Sequence, residues 1–450
     1  MITSFDLSID KSFFIYKYIN ISMKEKFIKS TITLILGGFI TKILGLFIKI
    51  ITTRVIGLEG ISLYSLILPT FSLAMTITTL SLPISISKLV AEDKYNNKSI
   101  IFSTLPISII INIIVIITLI LSSKFLSINL LNDERCIYPI IAISLTLPFI
   151  SMSSLIRSYF FGKQQMLPHV ISNIIEQITR IILILIFIPH TIKQGIVNAV
   201  CSLILVNIIS ETISFIILFI FLPNKFNITK QDIKPNKKYI KNILNISIPN
   251  TIGRIITSIF YFFEPIILMY FLTNAGYSSN FITTEYGIIE GYVIPLITLP
   301  NFFTIALSNS LLPVISNYHS KGNKKAIKLK LKQALIISLF IGLSVLIILR
   351  LFPDFFLKLI YNTNLGKNYL LVLLPVFILY YIQPPLIAVL QGINKSKELV
   401  IHETIGIILK LLIIIITSKL NIGLYTLILG ISINILITTY LHYKTIKKSI

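Results

Sequence analysis

Long apolar runs fill most of the chain, separated by short charged segments or by clusters of proline, glycine and asparagine. Each run reaches about 20 residues or more, the length that a helix needs to cross the hydrocarbon core of a membrane. The separating segments are typical of loops between helices. The pattern therefore predicts an all-α polytopic membrane protein with about twelve transmembrane helices. The predicted spans are 27–52, 62–90, 100–123, 136–158, 167–189, 195–222, 241–272, 284–315, 327–350, 368–391, 399–418 and 421–443.

Basic residues divide unevenly between the two sides that these spans define. Lysine and arginine are about three times as numerous on one side of the predicted membrane as on the other. Cytoplasmic loops of membrane proteins carry such an excess, so we expect both termini to be cytoplasmic. The basic segments are 24–29, 94–98, 157–163, 225–241, 321–332, 395–397 and 444–448.

Composition excludes several classes of function. The 450 residues are 55% hydrophobic and carry a net charge of +23. Loop lysines account for this charge in a membrane protein, so we expect no nucleic-acid partner. The two cysteines, Cys136 and Cys201, lie in separate segments and give neither a disulfide framework nor a metal-ligand spacing. Catalytic and nucleotide-binding motifs are missing from the sequence, so we expect no cofactor, no metal and no enzymatic activity.

The longest basic loop divides the chain into two halves of six spans each. Both halves begin on the cytoplasmic side, which predicts two parallel lobes around a central cavity. Weak internal similarity supports a duplication: one alignment places Lys42 opposite Arg254, and a second places Arg180 opposite Lys410. The aligned segments are 28–42 with 240–254 and 162–180 with 392–410, and the predicted units are an N-terminal extension (1–23), a first lobe (24–223), a cytoplasmic linker (224–240) and a second lobe (241–450).

The segment before the first span lacks the features of a signal peptide, which are a basic start, an apolar centre and a small-residue cleavage site. Met23 opens "MKEKFIKSTITLIL", a natural beginning for a first span. Our hypothesis is that translation begins at Met23, which a mass-spectrometric determination of the N-terminus would test.

Six basic residues fall inside predicted spans, where a charge costs about 2.5 kcal/mol or more and usually faces a cavity or a partner. They are Lys42, Lys49, Lys88, Arg180, Arg254 and Lys410. Helical spacing groups some of them into polar stripes on otherwise apolar helices. The stripe of span one contains Gly38, Lys42, Gly45, Lys49 and Thr52, and that of span seven contains Asn250, Arg254, Thr257, Tyr261 and Glu264. Such stripes face protein or water, although snorkelling of Lys49 and close packing at the glycines are equally good explanations for those residues.

Acidic residues inside the spans have two possible uses. Glu176 and Arg180 are four residues apart, and Glu403 lies two turns before Lys410, so we expect two structural ion pairs. Glu264, which shares a stripe with Arg254, and Glu211 in span six are our candidates for coupling transport to H⁺ or Na⁺.

Prolines interrupt two spans. Span eight contains Pro295, Pro300 and Pro313, and span two contains Pro69 and Pro83. Each proline removes a helical hydrogen bond, so we expect kinked helices beside the central cavity.

The segment 54–92 resembles the second-span region of the stage V sporulation protein B group. The pattern there is roughly R-x-x-G-x-x-G-x-x-x-Y-x-x-x-x-P, followed by P-x-x-x-S-K-x-x-A-E. The matching residues are Arg54, Gly57, Gly60, Tyr64 and Pro69, then Pro83, Ser87, Lys88, Ala91 and Glu92. The segment 286–316 is similar to the second-half counterpart, and the resemblance extends from residue 24 to about residue 445.

This group belongs to the multidrug/oligosaccharidyl-lipid/polysaccharide (MOP) exporter superfamily, together with the lipid II flippases. The resemblance implies two six-helix lobes and transport of an undecaprenyl-pyrophosphate-linked cell-wall or polysaccharide precursor across the bacterial cytoplasmic membrane. It implies an anionic lipid-linked sugar as substrate, membrane lipids as partners, and coupling to an ion or to the membrane potential. By helix, it places Lys42, Arg54, Lys88 and Arg254 at a pyrophosphate site, to which we add Lys49 from its stripe.

One departure and three alternatives qualify this expectation. Lipid II flippases have fourteen helices, the last two forming part of a groove for the lipid tail, whereas twelve are predicted here. A cation-coupled multidrug antiporter of the same superfamily would require acidic residues in the cavity. A non-transporting scaffold of a cell-envelope synthesis complex would require no charged cavity. A membrane glycosyltransferase fits poorly, because the longest outer loop, 273–283, carries no charge.

Overall fold

The computed structural model describes residues 23–92, 96–222 and 235–450, and the described segments are helical apart from short connections. Residues 1–22 of the predicted extension and most of the predicted linker lie outside the described residues. Helices of the first lobe are α1 (Met23–Thr79), α2 (Leu82–Ala91), α3 (Asn97–Phe125), α4 (Ile137–Gly162), α5 (Met166–Thr191) and α6 (Ile196–Ile220). Helices of the second lobe are α7 (Lys237–Asn274), α8 (Ser279–Ile288), α9 (Ile294–Thr298), α10 (Asn301–Ser320), α11 (Lys324–Leu351), α12 (Pro353–Tyr361), α13 (Lys367–Gly392), α14 (Ser396–Thr417) and α15 (Tyr425–Ser449).

The helices account for the predicted number of spans. In the described residues, nine helices are long and apolar enough to cross a membrane, or ten if the bent pair Ser279–Thr298 and Asn301–Ser320 is one span. The 57-residue α1 is two helices joined at Gly57, whose φ of 67° and ψ of −170° are not helical. Its two parts, the second continued by α2, supply spans one and two. The protein is therefore an all-α membrane protein with about twelve spans.

Two of the expected kinks are present. α1 ends at Thr79, and Leu80 and Ser81 have positive φ just before Pro83 of α2. The eighth span bends by 54° between Thr298 and Asn301, next to Pro300. The chain continues helically through Pro69, so a proline in a membrane helix does not by itself fix the site of a break.

Buried apolar residues form three clusters, whose arrangement defines the two ends of the molecule. One large cluster contains residues of both lobes, such as Ile61 and Leu66 with Ile289 and Leu370. We call this end the joined end. At the opposite end, which we call the divided end, each lobe has its own cluster. The first-lobe cluster contains Leu82, Ile100, Leu155 and, from the start of α7, Ile243, and the second-lobe cluster contains Leu311, Ile327, Leu386 and Ile446.

Glycines permit the close contact of the lobes at the joined end. A Cβ atom on Gly287 of α8 would lie 2.3 Å from Cα of Ser62 of α1, and one on Gly291 would lie 2.6 Å from a side-chain atom of Ile61. The hydroxyl of Ser279 also donates to the carbonyl oxygen of Asn132 at 2.6 Å, across the lobes. The joined end is therefore a closed contact that depends on small side chains.

Candidate functional site

Charged residues of the first lobe form a buried network that links three helices. Arg157 of α4 contacts Glu176 of α5, and its Nη2 lies 3.0 Å from Oε2 of Glu211 and 2.8 Å from the hydroxyl of Ser214, both on α6. Arg180 Nη2 lies 2.8 Å from Oε1 of Glu176, one turn away on α5. Glu176 and Glu211 are almost completely buried. Two arginines and two carboxylates balance in charge, which is how proteins tolerate buried ions.

The network confirms one expected contact and corrects a second. Glu176 and Arg180 are paired, as their spacing on one helix predicts. Glu211, one of our coupling candidates, forms an ion pair with Arg157 instead of facing the cavity unpaired. Arg157 lies near the end of a predicted span, so its position in the sequence predicted a cytoplasmic loop residue. Its partners lie 19 and 54 residues away, so no local pattern could have revealed them.

The second lobe contains a comparable pair. Lys410 Nζ of α14 lies 2.6 Å from Oε2 of Glu264 of α7, and both side chains are buried. The expected pairing of Lys410 with Glu403 is therefore wrong. Seven residues on one helix are separated by about 10 Å along its axis, whereas the packing of α7 against α14 brings Glu264 directly to the ammonium group.

A polar cavity of about 350 Å³ lies where this pair meets the first lobe. α7 supplies most of its polar lining, and Thr257, Tyr261 and Glu264 of the predicted stripe are among these residues, whereas Asn250 and Arg254 are not. Thr76 of α1 and Ser258 of α7 form a hydrogen bond of 2.9 Å beside it, so both lobes form its walls. We call it the central cavity. Its lining residues are Ser72, Thr257, Ser258, Tyr261, Glu264, Ile407, Lys410 and Asn434.

Two expected cations, Lys42 and Arg254, are exposed, and their side chains form no hydrogen bond or ion pair with the described residues. Arg254 lies three, four and seven positions before Thr257, Ser258 and Tyr261, so it shares the cavity-lining face of α7. Its guanidinium is therefore available to a ligand next to the central cavity.

Lys49, which lies seven residues after Lys42 on α1, is half-buried and interacts electrostatically with Glu290. Glu290 also interacts electrostatically with Glu264 and Lys410, so it connects Lys49 to the second-lobe pair. Glu290 lies in a π-helical segment, Ile289–Val293, an irregularity that is frequent at functional sites. We did not predict a role for Glu290 from the sequence, although the prolines that interrupt span eight indicated an irregular helix.

Arg54 lies outside the central cavity, contrary to its expected place. It is at the joined end, where Nε lies 2.9 Å from the carbonyl oxygen of Ile360 and Nη2 contacts that of Leu359. These carbonyl groups belong to the last turn of α12 and have no helical partner of their own, so arginine satisfies them well. The structure therefore gives Arg54 a contact between the lobes.

Lys88 lies in a second cavity, also apart from Lys42 and Arg254. This cavity has a volume of about 580 Å³ and lies between α2 and α4 at the divided end. Arg157, already neutralised by two carboxylates, contributes to its wall. The five cations expected at one site are thus distributed over at least three places in the structure.

The fold is that of the transporters of the MOP superfamily. The solved inward-facing structure of a multidrug resistance transporter of the MATE family in this superfamily superposes with a TM-score of 0.72 over 91% of this chain and 94% of that chain, at 18% identity.

The sequence places the chain within that class. Residues 27–319 match the family described as polysaccharide biosynthesis protein, and residues 265–416 match the MatE family. The chain is 33% identical to stage V sporulation protein B of Bacillus subtilis over 94% of this chain and 84% of the relative. It is 26% identical to the lipid II flippase MurJ of Bacillus subtilis over 87% of this chain and 77% of the relative. The chain belongs to the polysaccharide biosynthesis protein family and, within it, to the stage V sporulation protein B group.

Proposed function

We propose that the protein is a flippase that moves an undecaprenyl-pyrophosphate-linked cell-wall or polysaccharide precursor across the cytoplasmic membrane. One observation carries the proposal: the interior carboxylates Glu176, Glu211 and Glu264 already have internal cationic partners, whereas Lys42 and Arg254 have none among the described residues. Glu403 of α14 is half-buried and has no ion pair in the described residues, but Lys42 and Arg254 outnumber it, so the net free charge on these helices is positive. It is complementary to an anionic ligand.

A pyrophosphate bridge fits this charge. Arginine binds phosphate oxygens through two parallel hydrogen bonds, and lysine binds them as a point charge. The ligand's negative charge offsets the cost of holding Lys42 and Arg254 at membrane depth. The name of MurJ, a lipid II flippase, agrees with this ligand class. Moving the lipid breaks no bond, so we propose a transporter without enzymatic activity.

Alternating access explains the two unlike ends. We propose that residues 24–223 and 241–450 are the two halves that rock against each other, and that the excess of lysine places the divided end and both termini in the cytoplasm. The structure then corresponds to the state that is closed outside and open inside. Opening of the joined end would require the Ser62–Gly287 contact to separate.

Of the two acidic residues that we named as candidates for ion coupling, Glu264 and Glu211, only Glu264 keeps this role. Glu264 borders the central cavity and keeps Oε1 without a hydrogen-bond partner in the described structure. We propose that Glu264 takes part in coupling to H⁺ or Na⁺, whereas Glu211, enclosed by Arg157, has a structural role. The membrane potential acting on the anionic substrate is the alternative source of energy.

The test is transport by the purified protein in liposomes. A fluorescent undecaprenyl-pyrophosphoryl sugar, a neutral phospholipid and an organic cation would be compared for the wild type and Lys42→Ala/Arg254→Ala. We expect movement of the pyrophosphate lipid alone, and its loss in the variant. Export of the organic cation instead would establish the antiporter. If none of the three compounds moves, and the variant restores a deletion strain as well as the wild type does, the scaffold is established.

A further inference from the structure

The central cavity contains polar groups that the structure leaves free. The Ser72 hydroxyl, the Tyr261 hydroxyl and the Asn434 amide line it, and none forms a hydrogen bond with the described residues. All three residues are half-buried, so these groups are open to whatever occupies the cavity. Three such groups around one volume offer donors and acceptors to a polar ligand.

The charge of the cavity indicates that this part of the ligand is neutral. Its two charged lining residues, Lys410 and Glu264, form an ion pair with each other. They add no net charge to the cavity, and they still expose polar edges to it. A second phosphate or an acidic sugar would gain little here, whereas hydroxyl groups would find both donors and acceptors.

The order of groups along α7 relates this cavity to the proposed pyrophosphate site. Arg254 comes first, Ser258 follows after one turn and Tyr261 after two. At about 1.5 Å per residue, the backbone of Tyr261 lies about 10 Å from that of Arg254 along the axis. A group attached to a pyrophosphate at Arg254 would reach the cavity, whose volume of about 350 Å³ accommodates a sugar residue.

From this arrangement, we infer that the central cavity recognises an uncharged, hydroxyl-bearing sugar attached directly to the pyrophosphate. Ser72, Tyr261 and Asn434 bind its hydroxyl or amide substituents, and the ring of Tyr261 packs against its C–H face. Contacts to the sugar come from both lobes, because Ser72 belongs to α1 and the other two residues to α7 and α15. This inference rests on the proposed function, since it assigns the sugar part of the same substrate.

The experiment separates sugar recognition from pyrophosphate recognition. Binding of undecaprenyl pyrophosphate and of undecaprenyl-pyrophosphoryl-N-acetylglucosamine would be measured by microscale thermophoresis in nanodiscs. The proteins are the wild type, Tyr261→Phe/Asn434→Leu and the matched control Tyr270→Phe/Asn198→Leu. Tyr270 is 61% exposed and Asn198 is also exposed, and neither lines the cavity.

We expect the wild type and the control to bind the glycosylated lipid about 10-fold more tightly than the bare lipid, as two hydrogen bonds allow. The cavity variant should bind the bare lipid normally and lose this preference. If the cavity variant binds both lipids more weakly by the same factor, or keeps the wild-type preference, the assignment of the sugar is overturned. Neither result argues against the proposed pyrophosphate site. If the wild type binds neither lipid, the proposed function itself fails, and this inference fails with it.

Discussion

Lys410 and Glu264, 146 positions apart in the sequence, are joined by a contact of 2.6 Å between Nζ and Oε2. This pair ties α14 to α7, the helix that also carries Arg254 and lines the central cavity. It fixes the orientation of α7 within its lobe. It also offsets the negative charge that Glu264 would otherwise add to the cavity. The pair thus contributes to both the stability and the ligand preference of the site.

Breaking this pair should destabilise the protein. Lys410→Met leaves a buried carboxylate without a counterion, and Glu264→Gln leaves a buried ammonium group without one. We expect each single change to cost about 3–5 kcal/mol, and the double change to cost clearly less than their sum. Equilibrium unfolding in detergent would measure the three variants. Strictly additive effects would show that the two groups do not interact.

Arg157 should be the most sensitive residue of the first-lobe network. Arg157→Met leaves Glu176 and Glu211 buried with Arg180 as the remaining cation, which should cost about 3–5 kcal/mol. Lys88→Met is the matched control, because Lys88 lines the second cavity together with Arg157 but is exposed. This substitution should change the free energy of unfolding by no more than about 0.5 kcal/mol. Equal losses in both variants, measured by the same unfolding experiment, would argue against the network.

Gly287 should control the equilibrium between the closed and the open state of the joined end. In Gly287→Ala the new methyl group would lie 2.3 Å from backbone of Ser62, so the joined end must loosen. Gly38→Ala is the control, because a Cβ there meets no atom within 4 Å. Electron-spin distances between labels at the exposed positions 59 and 358, one in each lobe, would report the change. We expect a population at longer distance in Gly287→Ala alone, and an unchanged distribution would contradict the proposed gate.

The sidedness of the molecule can be tested by labelling. Ser320→Cys lies at the end of α10, on the predicted cytoplasmic side, and Glu59→Cys lies at the joined end. The two native cysteines, Cys136 and Cys201, would first be replaced by alanine. In intact cells a membrane-impermeant maleimide should label position 59 and reach position 320 only after permeabilisation. The reverse result would invert the proposed orientation.

Patterns along the chain predicted the spans well, because each helix must cover its own length of hydrocarbon. The break at Gly57 falls between the predicted end of span one and the predicted start of span two. The bend beside Pro300 falls where prolines interrupt span eight. Glu176 and Arg180 were predictable as a pair since they lie one turn apart. Each of these features depends on neighbours in the sequence.

Contacts between distant helices were not predictable in the same way. Lys410 has an acid on its own helix, and only the packing of α7 against α14 shows that Glu264 is its partner. Arg54 was expected at the pyrophosphate site, yet it binds carbonyl groups in the last turn of α12. The hydropathy pattern did not predict α12 as a helix. Side-chain partners of this kind depend on the three-dimensional arrangement of the lobes.

The most direct test of the account is the affinity of the purified protein for undecaprenyl pyrophosphate, measured for the wild type and for Lys42→Gln/Arg254→Gln. A matched control, Lys193→Gln/Lys358→Gln, removes two charges from exposed positions outside the two cavities. Each charged hydrogen bond contributes about 1.5–3 kcal/mol, so we expect Lys42→Gln/Arg254→Gln to bind at least about 100-fold more weakly and the control to bind as the wild type does. Equal affinities for all three proteins would contradict a pyrophosphate site formed by Lys42 and Arg254.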